Sequence, residues 1–292
     1  MFDPGTLWSR VSARRKEAIA CGSLHSIPTN LQRIEDAGVR FIVRVLTHLE
    51  AKPRHQYLDE QRSDGEQTNP FLPYEQGLFV ADVEPHHVCL FNKYNVVEHH
   101  LLLITRDFEH QDTLLTHDDF TSLAYCMREF DALGFYNAGV TAGASQTHKH
   151  LQLVPLPLAP GVQRLLIQPL LREAQIISRP TSIPAFNFTN ALIAVAAGTF
   201  HADDPGRVLH ELYRKLLERV EIFEAAGRQS APYNLLLTRE WMLLVPRSAE
   251  NCGGISVNGL GFAGSLFVRN EEELNTLRSL GPMRLLRSVA SA

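Results

Sequence analysis

An α+β fold is what this sequence predicts, and three observations carry the prediction. Strand-like and helix-like segments follow one another without the regular strand–helix–strand rhythm of a parallel α/β sheet. Short apolar runs of strand character recur in both the first and the second half of the chain. The 292 residues are about twice a ~150-residue single-domain prior, enough to bury a sizeable core without a disulfide or metal staple.

The elements follow in order. Residues 6–21 read as a helix with Gly22 as its C-terminal stop. VRFIVRVLTHLEAK, 39–52, fits helix or strand equally. The polar stretch 53–70 reads as a surface loop, long for a compact domain, and loops of that length often carry function. Three strands are expected at LFVADV (78–83), HVCLFN (87–92) and HHLLLIT (99–105), then a helix over 118–131 that ends before Gly134. FYNAGVTAGASQTHKHLQLVPLP, 135–157, runs from a strand through a small-residue loop into another strand. A long amphipathic helix is expected near 204–226. After it come the strands YNLLLT and WMLLVP, the glycine-rich VNGLGFAGSLFV and one terminal helix. No low-complexity linker interrupts the chain, and a boundary between two halves falls near 155–168.

Composition narrows the function. Lys plus Arg is 28 against 32 Asp plus Glu, a net charge of −4. That is too near neutral for duplex nucleic acid as the main partner, although a few local cations can still hold a small anion. The four cysteines, Cys21, Cys89, Cys126 and Cys252, form no C-x-x-C pair; reduced core thiols are expected rather than a disulfide framework or a zinc site. The first residues lack the apolar core of a signal peptide, and no apolar run approaches the ~20 residues of a membrane span. The expectation is a soluble, cytoplasmic protein with no membrane partner.

The chemistry concentrates in 137–152. Thirteen histidines make an isolated one uninformative, but residues two apart in a strand share a face. His148, His150 and Gln152 therefore lie together, with Lys149 and Leu151 opposite. From the pentapeptide alone, a polar face on an edge strand is an equal reading. The preceding loop favours chemistry. Asn137, Gly139, Gly143, Ser145 and Gln146 supply flexible backbone N–H groups and side-chain donors suited to an anion. Upstream, Lys93, His99 and His100 precede an apolar strand. A cupin-type metal site would need an acid after the second histidine, where Leu153 and Val154 stand. H-E-x-x-H and the Walker phosphate loop are absent. Covalent catalysis by histidine remains: a neutral imidazole nitrogen attacks a nucleotide's α-phosphorus, the other nitrogen keeps its proton on a fixed acceptor, and donors stabilise the phosphorus oxygens.

The run N-x-G-x-x-A-G-x-S-Q-x-H-K-H-L-Q resembles the histidine-triad superfamily. More narrowly it is similar to the ATP adenylyltransferase (diadenosine tetraphosphate phosphorylase) branch. NKYNVVEHHLLLITR upstream, and PYNLLLTREWMLLVPRS and ISVNGLGFAGSLFVR downstream, are similar to that branch too, so the likeness spans 39–269. It implies an α+β fold of two related halves. The first, 1–160, carries the catalytic motif; the second, 161–292, is a degenerate half that completes the pocket. A faint echo of Asn137, Gly139 and Ala142–Ser145 in Asn258, Gly261 and Ala263–Ser265 agrees with this, the second copy having no histidine.

By motif position the resemblance implies His150 as nucleophile, Gln152 in place of the hydrolases' third histidine, and His148 and His100 as supporting histidines. In related galactose-1-phosphate uridylyltransferases the equivalent pair helps hold a metal with a C-x-x-C pair; lacking that pair, this chain is expected to bind no structural metal. Asn137, Gly143, Ser145 and Gln146 are expected at phosphate oxygens, Lys93 and Lys52 near the polyphosphate, and Asn69–Leu72 beside the base. The expected reaction is phosphorolysis of diadenosine tetraphosphate to ATP and ADP through an adenylyl-histidine. No tightly bound cofactor is expected; a divalent ion such as Mg2+ accompanying the substrate phosphates stays open, as does the oligomeric state. Adenylylsulfate phosphorolysis, sugar-1-phosphate nucleotidyl transfer and a non-catalytic dinucleotide-binding module are the alternatives. Glutamine cannot relay a proton, which favours phosphate over water as acceptor.

Overall fold

The computed structural model describes residues 2–46, 69–162, 164–174 and 176–292. Helix α1 (Leu7–Ala20) is followed by strands β1 (Thr29–Asp36) and β2 (Val39–Leu46). The segment that fitted helix or strand is thus a strand as far as Leu46; residues 47–52 lie outside the described residues. Strands β3 (Phe79–Glu84), β4 (His87–Phe91) and β5 (Leu101–Thr105) follow, then helix α2 (His117–Met127), β6 (Ala132–Ala138) and β7 (His150–Pro155). The second half holds α3 (Gln168–Glu173), β8 (Ala191–Ala194), α4 (Pro205–Arg219), the hairpin β9 (Glu224–Ala225) and β10 (Arg228–Gln229), β11 (Tyr233–Leu237) and β12 (Trp241–Pro246). It closes with the hairpin β13 (Asn251–Cys252) and β14 (Ile255–Ser256), a single turn α5 (Gly259–Phe262), β15 (Ser265–Val268), α6 (Glu271–Leu280) and α7 (Pro282–Val289).

Three expected helices end differently, each for a local reason. Helix α2 starts on a capping box in which Thr116 and Asp119 exchange side-chain and backbone bonds, and it stops at Arg128, because Ala132 already pairs with Pro155 of β7. Helix α4 starts on Asp204, whose carboxylate accepts from Arg207 N, with Pro205 in the first turn. It ends at Arg219 rather than near 226, since Glu221 turns to φ 57° and β9–β10 follow. The single terminal helix is two, broken at Gly281, whose φ of 87° suits glycine and precedes Pro282.

The strands form an eight-stranded sheet in the order β3-β4-β5-β7-β6-β11-β12-β8 and a three-stranded sheet β1-β2-β15. Every neighbouring pair in the large sheet is antiparallel. One face of it packs Leu101, Leu103, Leu151, Leu153, Tyr136 and Leu235 beneath α1, α2 and α4. The other face packs Leu133, Phe135, Val154, Leu236 and Leu243 against the small sheet and the C-terminal helices. A separate small cluster, Phe71, Val88, Leu90, Leu102 and Ile104, covers the β4–β5 end of that second face. Strand β7 lies between β5 and β6, and with both sheet faces covered all of HKHLQ is buried; the edge-strand reading of HKHLQ does not hold. Two of the free cysteines, Cys89 and Cys126, are core thiols, whereas Cys21 is exposed and Cys252 half-buried. No helix among the described residues is long and apolar enough to cross a membrane.

Candidate active site

Strand β7 sets the site. Its partners on β5 are Ile104 opposite His150 and Leu102 opposite Gln152, so the two polar side chains emerge beside apolar neighbours, between the small cluster and the larger core. His150 is 4% exposed. Its Nδ1 lies 2.8 Å from the carbonyl oxygen of His148. A carbonyl only accepts, so Nδ1 carries the proton and Nε2 is left with its lone pair. Burial, with a smaller repulsion from His148, pushes the imidazole pKa down to about 4, which keeps the ring neutral near pH 7. The Phe71 ring sits 5.5 Å from His150, centroid to centroid.

His148 is locked on both sides. Its Nε2 donates to the Thr105 carbonyl at 2.9 Å, and its Nδ1 accepts from Asn69 Nδ2 at 2.9 Å. Asn69 is oriented for this by its own oxygen, which accepts from Phe71 N. Burial lowers the His148 pKa. His148 therefore supports the site through its carbonyl. Phe71 packs edge-on against it at 5.5 Å, while Leu72 is exposed.

Gln152 is oriented by His100. His100 Nε2 donates to Gln152 Oε1 at 2.9 Å, and His100 Nδ1 accepts from Asn92 Nδ2 at 3.2 Å. Burial holds His100 near pKa 4, so it stays neutral as a fixed donor. With its oxygen occupied, the glutamine amide N–H groups point away from His100 and suit an anionic oxygen.

The loop between β6 and β7 is built on two left-handed glycines. Gly139 and Gly143 both have φ 87°. At Gly143 a Cβ would come 2.7 Å from the Val257 carbonyl oxygen and 3.0 Å from Asn258 Cα, so only glycine lets this loop touch its C-terminal echo. Ser145 is exposed and Gln146 half-exposed at the loop's tip. Asn137 lies deeper, 2% exposed. Its Oδ1 accepts from Gly259 N and Asn234 Nδ2, both at 2.9 Å, while Nδ2 makes only a 3.5 Å contact with Gly143 O. Lys93 pairs with Glu75 at 3.0 Å. Lys52 lies outside the described residues. Among those described, no group of three or more His, Cys, Asp or Glu side chains could hold a metal ion.

Behind β7 the structure reveals what the sequence did not. Lys149 is fully buried between Asp119 (3.0 Å) and Glu109 (2.8 Å); burial alone would lower its pKa, but the two carboxylates outweigh that and raise it. Asp119 also bonds His87 Nε2 at 2.8 Å, and His87 Nδ1 meets Glu84. Other residues the motif reading missed are Thr105, Gln111, Asn234 and Arg247. Gln111 Oε1 accepts from His150 N at 2.8 Å, and its Nε2 donates to Asn137 O at 2.8 Å and His150 O at 3.2 Å. Arg247, 2% exposed, donates to Asn234 Oδ1 (2.6 Å) and Ala142 O (3.2 Å). Polar residues at interior strand positions, Asn234 in YNLLLT above all, were the available signal; Gln111 stands in a polar loop and gives none.

Comparison with known proteins agrees with this architecture along the whole chain. Residues 1–173 match the Ap4A phosphorylase N-terminal domain and residues 183–292 the ATP adenylyltransferase C-terminal domain. Diadenosine 5',5'''-P1,P4-tetraphosphate phosphorylase 2 of Saccharomyces cerevisiae is 28% identical over 249 residues, 74% of each chain. Protein APA1 of the same yeast is 26% identical over 303 residues, covering 93% of this chain and 89% of its own. Among solved structures, yeast Ap4A phosphorylase Apa2 in complex with Ap4A superposes with a TM-score of 0.81 at 21% identity, covering 99% of this chain and 98% of that one. The same enzyme in complex with AMP gives 0.78 at 22% identity, covering 98% and 96%. At that identity the superposition establishes a shared fold.

Proposed function

The chain belongs to the Ap4A phosphorylase (ATP adenylyltransferase) family, and from that premise we propose that it cleaves diadenosine tetraphosphate with phosphate, giving ATP and ADP, through an adenylyl group carried on His150. The observation that carries this reading is the 2.8 Å bond from His150 Nδ1 to the His148 carbonyl. It leaves Nε2 as a neutral, unprotonated nucleophile.

In the first displacement Nε2 attacks the α-phosphorus of one adenosine. The Nε2–P bond forms and the P–O bond to the polyphosphate breaks, releasing ATP. In the second, a phosphate oxygen attacks the same phosphorus, the N–P bond breaks, and ADP leaves with His150 regenerated. Splitting the transfer into two displacements is the advantage of a covalent route. Gln152 donates from its free amide hydrogens to the phosphorus oxygens, where charge grows in each transition state. The N–H groups of Gly143 and Ala144 close the loop on Val140 O and Gly139 O; the N–H groups and side chains of Ser145 and Gln146 and the Asn137 Nδ2 group complete the cradle, and Lys93 and Lys52 offset polyphosphate charge. His100 acts through Gln152 and His148 through His150.

Phosphate rather than water takes the adenylyl group. Gln152 has no accessible proton equilibrium, and His100 already donates from Nε2 to Gln152 and accepts at Nδ1 from Asn92, so neither offers a free base to an attacking water. Phosphate dianion needs no such help. We assign the catalytic motif to the half 1–160, with 161–292 as a degenerate counterpart completing the pocket; the contact between Gly143 and Asn258 favours it. The enzyme binds no resident cofactor, any divalent ion arriving with the substrate's phosphates, and it works in the cytoplasm.

The test is product analysis with diadenosine tetraphosphate. Wild type with phosphate should give equal ATP and ADP, and His150→Ala should give neither while still binding nucleotide. Near-normal turnover by His150→Ala would refute the mechanism.

A further inference from the structure

The ladder between β6 and β7 ends early. Its last pair is Phe135 with Gln152. Continued in the same register, it would set Asn137 against His150. Instead the strands part there: β6 keeps its other partner, with Asn137 opposite Asn234 of β11, and β7 keeps Ile104 of β5. The parting lets the loop 139–146 rise between them. It also leaves backbone groups of Asn137 and His150 facing a gap inside the sheet, where an unpaired polar group is costly.

The side chain of Gln111 fills that gap. It is 3% exposed, and its carboxamide is used completely. Oε1 accepts from His150 N at 2.8 Å. One amide hydrogen goes to Asn137 O at 2.8 Å and the other to His150 O at 3.2 Å. The group thus acts as a peptide unit borrowed from elsewhere in the chain. Its own backbone is anchored on both sides: Gln111 N donates to Thr147 O at 2.8 Å, and Gln111 O accepts from the Tyr136 hydroxyl.

We propose that Gln111 is a positioning residue for adenylyl transfer, fixing the backbone of His150 against that of Asn137 so that the nucleophile and the anion loop keep one spacing. The proposal rests on His150 being the nucleophile. Only a carboxamide of this length meets the three groups at once. Glutamate lacks both donors and sets a carboxylate against two carbonyls, methionine of similar length lacks all three bonds, and asparagine falls short. Transfer between a fixed imidazole and a bound phosphorus is sensitive to displacement, with ~1 Å able to cost about 10²-fold.

The experiment compares Gln111→Glu and Gln111→Met with wild type in single turnover on diadenosine tetraphosphate, per titrated active site. We expect adenylyl-enzyme formation slowed by about 10²-fold with KM changed only a few-fold, and the melting transition still cooperative. A merely structural role would lower stability and the fraction of active sites but leave the rate per site unchanged, and that result in either variant would overturn the proposal. Amide exchange in the wild type is a second measure that needs no variant. The His150 N–H should exchange as slowly as the β5–β7 ladder amides; exchange as fast as an exposed loop would also overturn it. Wild type turning over without any adenylyl adduct would instead overturn the His150 reading, so the two failures are distinguishable.

Discussion

At the scale of single residues, the chemistry depends on which nitrogen holds which proton. His148 and Thr105 are carbonyl acceptors, so they settle the tautomers of His150 and His148. Asn92 and His100 then fix which end of the Gln152 carboxamide is occupied, leaving its N–H groups for the donor role proposed above. Removing the Gln152 amide should slow adduct formation by about 10²- to 10³-fold, as losing one oriented transition-state donor does elsewhere; rapid-quench kinetics of Gln152→Ala would measure it. Gln152→His tests the complementary point. A protonatable ring there should raise the share of AMP released to water, read as the AMP:ADP ratio at fixed phosphate, and an unchanged ratio would detach acceptor choice from position 152. The shared face of His148, His150 and Gln152 was legible because strand period alone aligns them. The acceptors that choose their protons were not, since Thr105 lies 43 residues from His148 and His100 lies 52 from Gln152.

At the scale of elements, β7 is held from behind by charge. Lys149, Asp119, His87 and Glu84 are all buried, and they tie β7 and β4 to the first turn of α2. Alternation put Lys149 opposite the histidines but could not say that the face was covered, because Asp119 and Glu109 come from other elements. Burial would depress His87, but its bonds to Asp119 and Glu84 outweigh that and raise it from 6.5 to about 9. A raised folded-state pKa gives stability that is complete below the unfolded value and is lost as pH rises through the folded one. Stability should therefore fall by an amount of order ~3 kcal/mol as pH rises from 6.5 through about 9, read as a declining melting temperature. His87→Gln should start lower and stay flat across that window; a parallel decline in both proteins would assign the loss elsewhere. The helix ends were less legible for a related reason. A turn at Glu221 and pairing at Ala132 stop α4 and α2 where the apolar period would have continued.

At the scale of the whole molecule, one sheet joins both matched regions. The β6–β11 pairing is its seam, and Asn137, Asn234 and Arg247 lie along it. Arg247 has no carboxylate within ion-pair distance among the described residues, and burial lowers its pKa to about 10. Its guanidinium is held by neutral acceptors, Val289 O, Ala249 O, Ala142 O and Asn234 Oδ1. Arg247→Met would strand those acceptors inside the core, which should cost roughly 3 kcal/mol or more; urea unfolding would measure it. The α+β class and the strands β3 to β7, β11 and β12 could be read from the sequence, whereas β1 and β8 were not expected and β2 fitted helix equally. The splice of two regions into one sheet could not, because strand pairing over such separations leaves no local pattern. All this scaffold places one imidazole, and the central claim is that the imidazole carries the adenylyl group. The direct measurement incubates wild type with labelled diadenosine tetraphosphate without phosphate, maps the acid-labile, base-stable adduct by peptide, and then adds phosphate. The account predicts label on the peptide containing His150 and nowhere else, slow loss as AMP in buffer, and rapid discharge as ADP when phosphate arrives. Label on another residue, or undiminished ATP and ADP production with no adduct at any time, would contradict it.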